Sequence, residues 1–172
     1  IYTIFTMPSY VILLPDYARG TLAQGAGGLG LLLSAVGAGV LFGSILMTLV
    51  GQLPNRGLIT LGAVATAGGL LNLLAVIQSM GLAMLALGGL GASFSVVMIL
   101  TQTLILERVP DDMRGRAISS YMFTGGLMPF GSLSLGAIAG SFGTPLAMTV
   151  GGVASVVLAA TIFILRPDIR RI

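Results

Sequence analysis

The stretch GLITLGAVATAGGLLNLLAVIQSMGLAMLALGGLGASFSVVMILTQTLIL, Gly57 to Leu106, contains no charged side chain. As a single α-helix it would be about 75 Å long at ~1.5 Å per residue, more than twice the ~30 Å hydrocarbon core of a bilayer. It divides near its middle at Gln78-Ser79-Met80-Gly81. It therefore reads as two membrane-crossing helices, about 58–78 and 82–106, joined by a tight turn. Strands of a membrane barrel would alternate apolar and polar residues over ~10 positions, and these segments do not.

The same pattern extends outward on both sides. Gly20 to Asn55 is uncharged and holds one span, about 26–51; Ala117 to Leu165 holds two, about 117–141 and 145–165, divided at Ser141-Phe142-Gly143-Thr144-Pro145. Ile1 to Pro15 is apolar but covers only about 22 Å as a helix, too short to cross. It begins with Ile and has neither the basic start nor the small-residue cleavage site of a signal peptide. The expectation is a helix cut at its start, and hence a part of a longer chain. The fold class expected is an all-α membrane protein with six transmembrane helices, the first truncated, forming a single transmembrane domain over 1–172.

Composition agrees. The chain is 56% hydrophobic and 8% charged, where a soluble domain carries about 25% charged residues. Its mean hydropathy is +1.07, and no water-soluble fold of this size hides that much apolar surface. The lipid bilayer is thus the first partner. Without Cys or His there is no disulfide, zinc site, haem ligand or histidine base. All eight basic residues are Arg, so a P-loop lysine is missing and ATP is not hydrolysed by this chain. Serines such as Ser93 have neither His nor Lys to activate them, so no catalytic residue, cofactor or metal is expected. A net charge of +3 spread over short loops makes no nucleic-acid groove.

Six alternating spans place Arg56, Arg108, Arg114, Arg116, Arg166, Arg170 and Arg171 on one side and Arg19 alone on the other. By the positive-inside rule the Arg-rich side is cytoplasmic, as is the tail after Leu165.

Helices in lipid associate through close packing of small residues. Gly39/Gly43 and Gly136/Gly140 are both GxxxG pairs, and Gly30, Ser34, Gly37, Ser44, Thr48 and Gly51 share a face of the 26–51 helix. A second stripe, Met84, Gly88, Gly91, Ser95, Met98 and Gln102, runs along 82–106; a third, Tyr121, Thr124, Met128 and Ser132, runs along 117–141. Ser95, Met98, Gln102, Tyr121, Thr124 and Met128 are the candidate substrate path. Tight helix seams with hydroxyls bonded back to the preceding turn are the alternative reading of the same stripes, and the favoured one for the 26–51 face. Asn72 divides between the same two roles. Pro129, mid-span and among Gly125, Gly126 and Gly131, is expected to bend its helix. No ionisable group lies deep in any span, so no proton relay is visible.

The densest polar constellation is Glu107-Arg108-Val109-Pro110-Asp111-Asp112-Met113-Arg114-Gly115-Arg116. It reads as a helix stop, a turn and a helix start, with Asp111 and Asp112 favourably placed at a helix N-terminus. Topology and capping explain it equally with a sharper role: a cytoplasmic gate of Glu107, Arg108, Asp111, Asp112, Arg114 and Arg116, with Arg56 as a further candidate, in which Arg114 and Arg116 reach Glu107 or carbonyls at the end of a neighbouring helix.

The segment Gly51-Gln52-Leu53-Pro54-Asn55-Arg56-Gly57 and the loop Val109 to Ala117 resemble the C-terminal half of a major facilitator superfamily transporter. The stretch Arg114 through Gly131-Ser132-Leu133 to Gly136-Ala137 is similar to the enterobactin-exporter-like branch, the transmembrane secretion effectors. The resemblance implies half of a twelve-helix carrier, with an N-terminal six-helix half, in the same chain or a second copy, as partner. It also implies alternating access around a central cavity, in a bacterial cytoplasmic membrane. The family's corresponding loop places an acid before its Arg-x-Gly residues, whereas Pro54-Asn55-Arg56-Gly57 has none. Arg56 is therefore expected to be a weak lock, and the Glu107–Arg116 loop the better gate. The function expected is a secondary-active exporter of a small, partly hydrophobic molecule such as a siderophore or drug. The alternative is the membrane domain of an ATP-driven transporter whose ATPase is another chain.

Overall fold

The computed structural model describes residues 2–22, 25–50 and 55–165, and every regular element among them is helical. Hydrocarbon offers no hydrogen bonds to a backbone, so each apolar segment satisfies its own groups in the only local way open to it.

The first segment is composite. Helix α1 (Tyr2–Val11) stops at Ile12-Leu13, and a one-turn helix α2 (Leu14–Asp16) runs into a π-helical turn over Tyr17–Thr21. The expected end at Pro15 is therefore corrected. Pro15 lies in the first turn of α2, where its missing N–H costs nothing, and Tyr17 N–H donates to Leu13 O at 2.8 Å to carry the chain onward.

Five further segments are long and apolar enough to cross a membrane. They are α3 (Ala26–Val50), α4 (Arg56–Val76), α5 (Met80–Arg108), the pair α6 (Arg114–Gly125) and α7 (Met128–Phe142), and α8 (Thr144–Leu165). Each lies within a few residues of its expected span; Gly51 to Pro54 and Arg166, Arg170 and Arg171 fall outside the described residues. Asn55 precedes α4 in the left-handed conformation (φ 56°), which Asn tolerates better than most residues. Ser79 caps α5 by accepting from Leu82 N–H. Gly143, at φ 92°, turns the chain between α7 and α8, a conformation that favours glycine.

The 117–141 span is two helices rather than one bent helix. Gly126 N–H donates to Phe123 O at 3.0 Å and Leu127 N–H to Thr124 O at 3.2 Å, tight three-residue turns in place of the α-helical ladder. Pro129 has no N–H to donate, so it sits in the first turn of α7 and the chain breaks just before it.

Helix α5 packs between α3 and α4, α4 packs in turn on α8, and α7 and α1 close against α8. Two contacts bring backbones together. At the α3–α5 crossing, a Cβ added to Gly39 would lie 1.9 Å from Gly88 O, and one on Gly91 would lie 2.2 Å from Val36 O. At the α4–α8 crossing, a Cβ on Gly68 would be 2.6 Å from Gly152 O, and the reverse distance is also 2.6 Å.

The second GxxxG pair does not form such a seam: nothing lies within 4 Å of a Cβ at Gly136 or Gly140. On the glycine-serine face of α3 the hydroxyls bond back one turn as expected, while the expected seam along Gly30 and Gly37 is corrected. Gly30 and Gly37 have open space, while Ser34, Ser44 and Thr48 donate to Gly30 O, Val40 O and Ser44 O on their own helix. These hydroxyls satisfy themselves one turn back and leave the seam to Gly39 and Gly43.

The core is thickest at the end of the bundle that holds the Gln78-Ser79 turn. Leu71, Leu74, Ala83, Leu87 and Met148 are fully buried there around Tyr17, whose hydroxyl donates to Ile77 O at 2.8 Å. Toward the opposite end the buried apolar set shrinks to Val64, Val97, Leu100 and Ala159, and α6 buries no residue. The packing opens where the site lies.

Candidate functional site

The α3–α5 crossing is tight at Gly39/Gly43 against Gly88–Ser95, and no residue of α3 lines the side of α5 that faces α6. One side of α5 is thus open where α6 passes it, and a cavity of about 330 Å³ lies there. Helix α5 contributes Phe94, Val97, Met98 and Gln102; α6 contributes Tyr121, Met122, Thr124 and Gly125; Met128 of α7 and Met7 of α1 complete the wall. A smaller space of about 50 Å³ shares Gln102, Tyr121 and Met122 with it and continues along Ile105, Leu106 and Ile118. Leu106 directly precedes Glu107, so this second space lies beside the charged loop.

Five of the six path candidates line the cavity: Met98, Gln102, Tyr121, Thr124 and Met128. Ser95 does not. It is 4% exposed, donates to Ala92 O on its own helix, and its Oγ lies 2.3 Å from where a Cβ of Gly43 would stand. It belongs to the α3–α5 seam because its side chain lies directly against Gly43. Sequence reasoning missed Phe94, Val97, Met7 and Met122. Phe94 lies four residues before Met98 and was reachable by helical spacing, but a stripe drawn through small and polar residues passes it by.

Two local bonds shape the polar part of the wall. Tyr121 OH donates to Met98 Sδ at 3.3 Å, linking α6 to α5. Thr124 Oγ1 donates to Tyr121 O at 2.6 Å and is satisfied within its helix. None of the lining residues carries a charge.

The charges gather at the Arg-rich end. Arg56, at the start of α4, is ion-paired with Glu107, near the end of α5. This corrects the expectation that Arg56 lacks a strong partner: the missing acid of its own loop is replaced by one from the neighbouring helix. Of the two partners open to Arg114 and Arg116, Glu107 is thereby taken by Arg56. Arg114 instead bonds Asp111, three residues back, at 2.8 Å, because the short 3₁₀ turn Asp111–Met113 brings the two onto one side. Arg108, Asp112 and Arg116 are exposed. The gate candidates are therefore placed as an interhelical pair and a separate local pair, not as one network.

Two polar features lie outside both groups. Thr6 Oγ1 and Ser155 Oγ are hydrogen-bonded between α1 and α8, each fully buried, and Ser155 passes its own proton to Gly151 O at 2.8 Å. Asn72 Nδ2 donates to Gly68 O at 2.9 Å on its own helix while lying against Gly152, so it supports the α4–α8 crossing.

An all-helical membrane bundle with glycine-mediated crossings, a partly open cavity and ion pairs at one end has the build of a transport protein integral to the membrane. The chain belongs to the transmembrane secretion effectors of the major facilitator superfamily, whose family model matches residues 2–171. No curated protein and no solved structure matches it.

Proposed function

We propose that the protein works as a secondary-active carrier that exports a small, partly hydrophobic molecule by alternating access. The observation that carries this reading is the 330 Å³ cavity, whose wall gathers Met98, Gln102, Tyr121, Thr124 and Met128 from three helices. In this reading the described helices form one half of a twelve-helix carrier, and a second six-helix half closes the cavity's open side. The Arg-rich end faces the cytoplasm of a bacterial cell, because Arg56, Arg108, Arg114 and Arg116 share one side.

The Arg56–Glu107 pair then acts as the cytoplasmic lock. It ties α4 to α5 at the end where packing is thinnest, so it holds one arrangement of the helices and releases on rocking. Asp111 and Arg114 set the turn that delivers α6 to the cavity.

The test is transport of a fluorescent amphiphile, Nile red, by the purified protein in liposomes carrying an imposed proton or sodium gradient. Gradient-driven movement that disappears with an ionophore supports the carrier. Movement that needs ATP and a co-purifying nucleotide-binding subunit would replace it with an ATP-driven transporter.

A further inference from the structure

We infer that the cavity selects molecules that are uncharged at the moment of binding and that present a carbonyl, ether or amide oxygen to Tyr121 and Gln102. This rests on the carrier reading for its physiological sense, but concerns which chemistry the wall accepts.

The wall has two parts. Its apolar part is soft: Met7, Met98, Met122 and Met128 line it together with Phe94 and Val97. Thioethers on flexible side chains adapt to many shapes and pack well against aromatic rings, so this part fixes apolarity and leaves shape loosely defined. Its polar part is neutral. Gln102 offers a carboxamide from an exposed position on α5, which can both donate and accept. Tyr121 offers a hydroxyl whose present acceptor is the thioether of Met98 at 3.3 Å. A thioether sulfur is a weak acceptor, so a substrate oxygen takes over that proton with a net gain. Thr124 is already satisfied by Tyr121 O and adds no competing polar demand.

What the wall lacks decides the class. The four ionisable groups nearest in sequence to the Gln102–Tyr121 pair are Glu107, Arg108, Arg114 and Arg116, all on the loop side. Glu107 is engaged by Arg56 and Arg114 by Asp111, while Arg108, Asp112 and Arg116 are exposed on the loop and line neither space. A cation or anion held against these residues would leave water with no counter-charge from them, which costs far more than an apolar wall returns. An uncharged amphiphile pays no such penalty and gains the hydroxyl and the carboxamide.

The experiment is equilibrium binding to the protein in lipid nanodiscs, read by fluorescence against protein-free nanodiscs. The probes are Nile red, uncharged with a ring carbonyl, and ethidium, a permanent cation. Nile red should bind and ethidium should bind at least about tenfold more weakly. Tyr121→Phe and Gln102→Leu should each weaken Nile red by about fivefold, the loss expected of one hydrogen bond. Gln102→Glu should raise ethidium affinity by about tenfold or more, since it supplies the absent counter-charge. That variant gains a function, so misfolding cannot mimic the expected result.

Equal binding of both probes, no specific Nile red binding, or no gain from Gln102→Glu would overturn the inference. Selective binding without any gradient-driven transport would refute the carrier reading and leave this one standing. Transport of both probes alike would do the reverse.

Discussion

Replacing Gly39 by Ala probes the packing that holds α3 to α5. The added Cβ would lie 1.9 Å from Gly88 O, where ordinary contact begins at 3.4 Å, so the helices must part by about 1.5 Å (3.4 less 1.9). The obstructing atom is backbone, which cannot rotate away as a side chain would. In lipid there is no compensating hydrophobic drive, and a gap of 0.5–1 Å already forfeits about a quarter to a half of a contact's dispersion energy. Overpacking costs typically about 1–3 kcal/mol, and a backbone-to-backbone clash belongs at the upper end, about 3 kcal/mol. The control is Gly136→Ala, the first glycine of the other GxxxG pair, which has nothing within 4 Å. It should be neutral or stabilising by up to about 1 kcal/mol through better helix propensity. Both variants are measured by reversible unfolding in mixed micelles with increasing denaturing detergent. Equal stability of the two would refute the packing argument.

Three other outcomes follow from the polar contacts. Arg56→Gln and Glu107→Gln should each reduce transport several-fold, and the swap Arg56→Glu with Glu107→Arg should restore much of it. Stability should change by under about 1 kcal/mol, because the Glu107 side chain is 53% exposed and such pairs are weak; a transport assay normalised to membrane abundance checks this. Thr6→Val, close in shape, should cost about 0.6–1 kcal/mol in the same unfolding assay by removing the bond to Ser155. Gly152→Ala should destabilise more than Thr6→Val, since its Cβ meets both Gly68 O at 2.6 Å and Asn72 Nδ2 at 2.7 Å.

The helix count was legible because charge is nearly forbidden in hydrocarbon, so the gaps between Arg19, Arg56, Glu107, Arg116 and Arg166 outline the spans. The break before α7 was half legible: Pro129 marks a lost hydrogen bond, but whether the chain bends or restarts depends on the turn made at Gly126-Leu127. Crossing points were not legible. Gly39/Gly43 and Gly136/Gly140 have the same spacing, and only the path of α3 over α5 makes the first a contact. That crossing also separates Ser95 from Met98, one turn apart on a single stripe.

Partners far apart in sequence were the least accessible. Arg56 and Glu107 lie 51 positions apart, and Thr6 and Ser155 lie 149 apart. Local pattern links a residue only to its helical neighbours, which is why the gate loop was expected to pair within itself. Arg114 and Asp111 do so; Glu107 does not. The path residues were more readable, since a large polar group such as Gln102 or Tyr121 is costly inside a membrane unless a cavity or partner receives it.

The chain contains no cysteine, which makes one measurement direct. Thr124→Cys, with any cysteine of the second half replaced by serine, places a single thiol in the cavity wall, and membrane-impermeant maleimide can be applied from either face of sealed vesicles. Alternating access predicts labelling from both faces, with Nile red slowing the reaction on each. Labelling from one face only, unchanged by Nile red, would contradict a carrier that turns this cavity from one side of the membrane to the other.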